Sequence, residues 1–299
     1  MELDRLPRLP ARTVRVVDSR CELAESPLWM SEAAGLRWVD AVRGELHALR
    51  PGGHERWPVA AGVVSAVAAE TDGGLVLTVD DQVLRRADGP GVPSTVLARL
   101  PGRPPGERFN DAKAGPDGRL WAGTVCPDLP GAGALWSVDP TGELFPHWTG
   151  ISHGNGIAWS PRGDLLFFVD SGDGTVSRAA FDRDGGVGAP EVIARVPRAD
   201  GIPDGLAVDA RADLWLAVWG AGCLVRLRAD GTPTGRVELP DRNVTSCAFA
   251  GRGLDLLAVT TAADDAGPSR GGSVYLLDVG RRGVAGYLFG AVEKRSGDL

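Results

Sequence analysis

The chain has 299 residues, 43% hydrophobic and 24% charged, a balance that suits a folded soluble protein and excludes a disordered one. A net charge of −7, with no run of Lys or Arg, offers no stripe for tracking phosphates, so nucleic acid is excluded as an expected partner. No window approaches the ~18 uninterrupted apolar residues of a membrane span, and the opening "MELDRLPRLPART" puts proline and charge where a signal peptide needs an apolar core. A cytoplasmic location is the expectation.

Four cysteines, Cys21, Cys126, Cys223 and Cys247, stand far apart with no CxxC pair and no His at ligand spacing. They read as buried free thiols in a reducing compartment. Gly 42 and Pro 22 are scattered along the whole chain, the distribution of many short strands joined by turns.

Taken in chain order, the expected elements repeat. "ESPLWMSEAAGLRWVDA" begins at Glu25 and "SAVAAETDGGLVLTVDD" at Ser65. "NDAKAGPDGRLWAGTV" begins at Asn110 and "NGIAWSPRGDLLFFVDS" at Asn155. "DGLAVDARADLWLAVWG" follows at Asp204 and "TSCAFAGRGLDLLAVTT" at Thr245. Each unit has a polar opener, a short run of small or apolar residues, a turn, and a second strand rich in Leu, Trp, Phe and Val. A third strand follows in "GTVSRAAFD" and "GCLVRLRAD". The openers recur every 40 to 49 residues, the period of a propeller blade. The expected architecture is all-β, a six-bladed β-propeller with a metal site in its central channel. It forms one domain over residues 1–299, with about 1–12 and 291–299 as poorly ordered tails and "GSVYLLDV" completing the last blade. Trp38, Trp121, Phe167 and Trp215 recur on the second strands, as packing between blades requires.

The innermost strands of a propeller line its channel, so the polar openers converge on one axis. Glu25, Asn110, Asn155 and Asp204 all offer oxygen. Any one of them alone reads as a turn-forming residue at a strand start; convergence is what makes them a site. Two carboxylates facing each other repel, and a hard divalent cation between them removes the repulsion. Without Cys or His, the donor set favours Ca²⁺, Mg²⁺ or Mn²⁺, with Zn²⁺ open where ligands are few.

These residues resemble the SMP-30/gluconolactonase family, which includes regucalcin and the sugar lactonases. The resemblance is carried by "ESPLW", "RFNDAKAGPDGRLWAGT", "GNGIAWSP", "IPDGLAVDARADLWLAVWGAGCLVRL" and "TSCAFAG", in the family's order and near its spacing, from about Cys21 to Gly290. It implies a six-bladed propeller with one divalent cation, Ca²⁺ first among candidates, held by Glu25, Asn155 and Asp204. It also implies substrate contacts from Arg108 and Asn110. The family often has a Glu shortly after its AGT motif that touches sugar hydroxyls; the equally spaced residue here is Asp128, a shorter acid. The run "GISHGNGIAW" adds residues before Asn155 and puts His153 near the channel mouth.

The implied activity is hydrolysis of the ring ester of a sugar lactone or related small lactone, with Asp204 as acid and base at the metal. The expected partner is a small-molecule substrate, and the expected state a monomer or small homo-oligomer. If the strand has already begun at Asn110, Asp111 and Lys113 are expected on its opposite face, supporting the site from behind or stabilising the turn and not as ligands. No G-x-S-x-G elbow and no G-x-G-x-x-G after a strand suggests other chemistry. Two alternatives stay open: a family propeller turned to another reaction on a biosynthetic intermediate, and a non-catalytic calcium-binding propeller.

Overall fold

The computed structural model describes residues 1–264 and 270–291. Among them, six four-stranded antiparallel sheets stand around a central axis as the blades of a propeller, in agreement with the repeat. The inner strands of blades 1 to 6 are Ala24–Ser31, Val64–Ala69, Arg108–Ala114, Gly154–Trp159, Ile202–Val208 and Val244–Ala250. Each inner strand contacts those of its two neighbours, which closes the channel wall. No helix among the described residues is long and apolar enough to cross a membrane.

Cores lie between adjacent blades. Trp38, Trp121, Phe167 and Trp215 are all fully buried, each in a different core cluster. Burying a ring of this size contributes about 2–3 kcal/mol, provided an indole N–H finds an acceptor. Trp121 donates to Asp117 at 3.1 Å and Trp215 to Asp209 at 3.2 Å. The four cysteines are buried and free, as read.

Ring closure differs from the sequence reading. Blade 6 takes three strands from the C-terminal part of the chain, ending with Val274–Asp278, and its outer strand from Arg12–Val17 near the N-terminus. That outer strand is exposed along nearly its whole length, so no apolar alternation marks it. Residues 1–12 are not a loose tail either. Leu3 is buried in the core between blades 4 and 5, and the Leu9 N–H donates to the Arg236 carbonyl at 2.7 Å. Of the other expected tail, 291–299, all but Ala291 lie outside the described residues.

Every inner strand slips register against its second strand. The slips fall between Glu25 and Leu28, Val64 and Ala66, Phe109 and Asp111, Gly154 and Ile157, Pro203 and Leu206, and Val244 and Ser246. Ser65, Asn110, Asn155, Asp204 and Thr245 therefore sit in bulges, and Glu25 borders one. A bulge re-aims side chains out of the pleat; Ser65 and Thr245 use it to bond Thr78 and Thr260 on the second strands of their own blades, whereas Glu25 and Asp204 act electrostatically on each other.

Candidate functional site at the channel mouth

Glu25 starts the inner strand of blade 1. Ser26 follows in the left-handed region, at φ 52°, a strained conformation for a residue with a side chain. Its hydroxyl compensates by bonding the backbone of blade 2, donating to Val67 O and accepting from Val67 N–H. Beyond the kink, the Glu25 carboxylate faces Asp204 and Asp111 electrostatically, and among the described residues the Ser26 N–H, at 3.3 Å, is its one hydrogen-bond donor.

Asn155 is set by its neighbours. Its amide nitrogen donates to Ser171 Oγ at 3.1 Å, and that hydroxyl donates to the Pro203 carbonyl at 2.6 Å. The Asn155 side chain also hydrogen-bonds the Asp204 carboxylate, so the two candidate ligands are tied together. Asp204 lies one residue beyond Pro203; Asn155 and the Gly205 N–H hydrogen-bond its carboxylate, yet its Oδ1 is buried with no hydrogen-bond partner among the described residues. A buried carboxylate oxygen without a donor is costly, and a cation is the partner its surroundings can accept.

The glycines that follow these residues have a packing reason. A Cβ on Gly156 would lie 2.6 Å from Asp204 O, and one on Gly205 would lie 2.2 Å from Ser246 Oγ. Inner strands approach too closely around the axis for any side chain at those two places.

The electrostatics agree with the geometry. Burial pushes the Glu25 carboxyl well above the usual range, and Asp204 and then Asp111 push it further. Burial likewise raises Asp204, with Asp111 adding to it and Asn155 pulling it back. Asp111 is pushed up to about 6 by burial, against the pull of Lys113. Two buried carboxylates, Asp111 and Asp204, and the half-buried Glu25 thus act on one another. Two carboxylates and an amide oxygen, with no sulfur or imidazole among them, fit a hard divalent cation.

Asp111 corrects an expectation. The bulge at Asn110 takes up one residue, so both Asn110 and Asp111 serve the channel instead of pointing to opposite faces. Lys113 shares the change, reaching from blade 3 to the Leu206 carbonyl of blade 5 at 2.9 Å.

Arg108 and Asn110 stand at the mouth. Arg108 donates to Asn110 Oδ1 at 2.9 Å, and the Asn110 amide donates to the Gly154 carbonyl, beside Asn155, at 3.1 Å. His153 is bridged by its backbone to Val125, and its imidazole is held low in pKa by burial and by nearby Arg108. Asp128 lies in an exposed turn with its carboxylate beside Gly106, and no hydrogen bond ties it to Arg108 or Asn110.

A second cluster of donors, Cys21, Asp40 and His47, is buried at the side of blade 1. Asp40 is engaged there by the Glu22 and Leu23 N–H groups and by Arg43, so it works as a loop clamp. Cys21 Sγ lies 3.7 Å from His47 Nε2, a pairing that sequence spacing could not reveal. At the far end of the channel, a cavity of about 660 Å³ is roofed by residues 284–288 and reaches inward to Asp111 and Lys113.

The family profile described as SMP-30/Gluconolactonase/LRE-like region matches residues 23–263. This chain belongs to the SMP-30/gluconolactonase family. Within it, the chain is 38% identical to pentonolactonase XacC of Haloferax volcanii over 283 residues, covering 90% of this chain and 95% of that protein. It is 28% identical to the regucalcin of Xenopus laevis, covering 92% of this chain and 97% of the relative. Among solved structures, a calcium-binding regucalcin from Agrobacterium tumefaciens superposes with a TM-score of 0.85 at 28% identity, covering 95% of this chain and 99% of that one.

Proposed function

We propose that the protein is a metal-dependent lactonase that opens the ring ester of a sugar lactone or a related small lactone. One observation carries the reading: Asp204 Oδ1 is buried without a protein partner, in a channel shared by Glu25 and the oriented amide of Asn155. The likeness to a pentonolactonase along nearly the whole chain supports the substrate class. Glu25, Asn155 and Asp204 would hold the cation, and Ca²⁺ suits their oxygens best.

When bound, such a cation supplies polarisation of a carbonyl and acidification of water. The rest falls to the side chains. Asp204 accepts a proton from the attacking water as its oxygen bonds to the lactone carbonyl carbon. The ring C–O bond breaks, and Asp204 returns the proton to the departing ring oxygen, which leaves as a hydroxyl of the product acid. Arg108 and Asn110, already joined to each other, orient substrate hydroxyls at the mouth. Asp128 would reach a substrate only through its loop.

The test is lactone opening followed with a pH indicator over aldonolactones and simple lactones. Chelated protein is compared with samples resupplied with Ca²⁺, Mg²⁺, Mn²⁺ or Zn²⁺, and with Asp204→Asn. Activity that needs a cation and vanishes in Asp204→Asn upholds the reading. No acceleration over buffer with any cation overturns it.

A further inference from the structure

We propose that Asp111 and Lys113 form a fixed pair of opposite charges beneath the cation site, and that this pair balances the site for a divalent ion. The inference rests on the cation reading above and concerns two residues that reading does not use.

The observations are positional. Asp111 and Lys113 follow the bulge at Asn110, two residues apart on one strand, and both line the cavity that reaches up the channel. Asp111 is buried and acts electrostatically on both Glu25 and Asp204. Lys113 acts in turn on Asp111, and it is the only lysine among the described residues. Its side chain is half-buried. It reaches from blade 3 to the Leu206 carbonyl of blade 5, two residues beyond Asp204. A half-buried lysine held by one carbonyl is costly unless its charge is matched.

The matching is a matter of arithmetic. Three carboxylates, from Glu25, Asp204 and Asp111, against one doubly charged cation leave one negative charge unbalanced. Lys113 cancels it. Take away Asp111, and a lone positive charge faces the cation. Take away Lys113, and an extra negative charge attracts the cation more strongly. Take away both, and the balance returns. At the effective dielectric of such a site, one unbalanced unit charge changes cation affinity by about tenfold or more. A purely structural role for the two residues gives a different pattern, because each loss would then weaken binding and the double loss would weaken it most.

The experiment is calorimetric titration of chelated, desalted protein with CaCl₂ at pH 7. Asp111→Asn is expected to weaken Ca²⁺ binding about tenfold. Lys113→Met is expected to hold or tighten it, and the double variant to return close to the original affinity. Weakening in both single variants, or no recovery in the double variant, overturns the proposal. Should variants lacking Lys113 fail to fold, Asp111→Asn alone still decides. Its exposed positive charge repels a trivalent ion more than a divalent one, so the loss of affinity must be larger for Tb³⁺ than for Ca²⁺. Equal losses, or none, overturn the pair while leaving the cation reading intact. A wild-type protein that binds neither ion overturns both.

Discussion

Asn155 is tied to Ser171 by a 3.1 Å hydrogen bond, and Ser171 in turn caps the carbonyl that precedes Asp204. One hydroxyl therefore orients a candidate ligand from blade 4 and steadies the backbone of a candidate ligand from blade 5.

Removing that hydroxyl should loosen the site more than the fold. Ser171→Ala is expected to weaken cation binding about tenfold, as loss of a group that orients a metal ligand does. The stability cost should stay near 1 kcal/mol. Calcium titration and thermal melting on one preparation separate the two effects; a large fall in melting temperature with unchanged affinity would contradict the assignment.

Arg108 should matter for substrate and not for the cation. Arg108→Gln breaks its bond to Asn110 while leaving Glu25, Asn155 and Asp204 untouched. Lactone turnover should show kcat/KM down by about a hundredfold, some 2.7 kcal/mol of lost transition-state stabilisation. Calcium affinity should be unchanged.

Gly205→Ala tests the close approach of inner strands. The new methyl would collide with Ser246, whose Cα lies 2.6 Å from the Cβ position. Backbone must move, at about 1–3 kcal/mol, and Asp204 moves with it. Thermal melting should fall and activity should fall further; a variant as stable and active as the wild type would show that the strands can part freely.

In chelated protein the three channel carboxylates should cost stability as pH rises. Glu25, Asp204 and Asp111 have folded-state pKa values above their unfolded ones, chiefly through burial. Between those values the folded chain binds more protons than the unfolded chain, so raising the pH favours unfolding. The loss begins above the ordinary carboxylate range near pH 4 and continues through Asp111 at about 6. Burial lowers His47, His54, His147 and His153, and these act the other way, adding stability up to about pH 6.5. The gain in melting temperature from saturating Ca²⁺ over chelator cancels contributions remote from the site, and it should grow from pH 5 to 7.5; a gain that stays flat or shrinks would refute the account.

Much of the candidate site could be read as an expectation because its chemistry leaves short marks in the chain. Glu25, Asn155 and Asp204 stand in equivalent places of separate repeats, and Gly156 and Gly205 follow two of them because the neighbouring strand admits no Cβ. Asp111 and Lys113 were misread for one reason. Strict alternation places them away from the channel, and a single bulged residue at Asn110 cancels the alternation. The outer strand Arg12–Val17 escaped notice because it lies at a sheet edge with nearly every side chain in water. Its partner, Val274–Asp278, is more than 250 residues away, beyond the reach of any local pattern.

That pairing also sets an order of events during synthesis. Blade 6 lacks its outer strand until Val274–Asp278 has emerged from the ribosome and found Arg12–Val17. The same closing step brings blade 1 against blade 6, where Thr245 Oγ1 donates to the Ala24 carbonyl at 2.6 Å, one residue from Glu25. Glu25 is made early and Asp204 much later, yet they share the channel only once the ring is shut. A nascent chain halted before Val274 would carry every residue of the candidate site and still have no site.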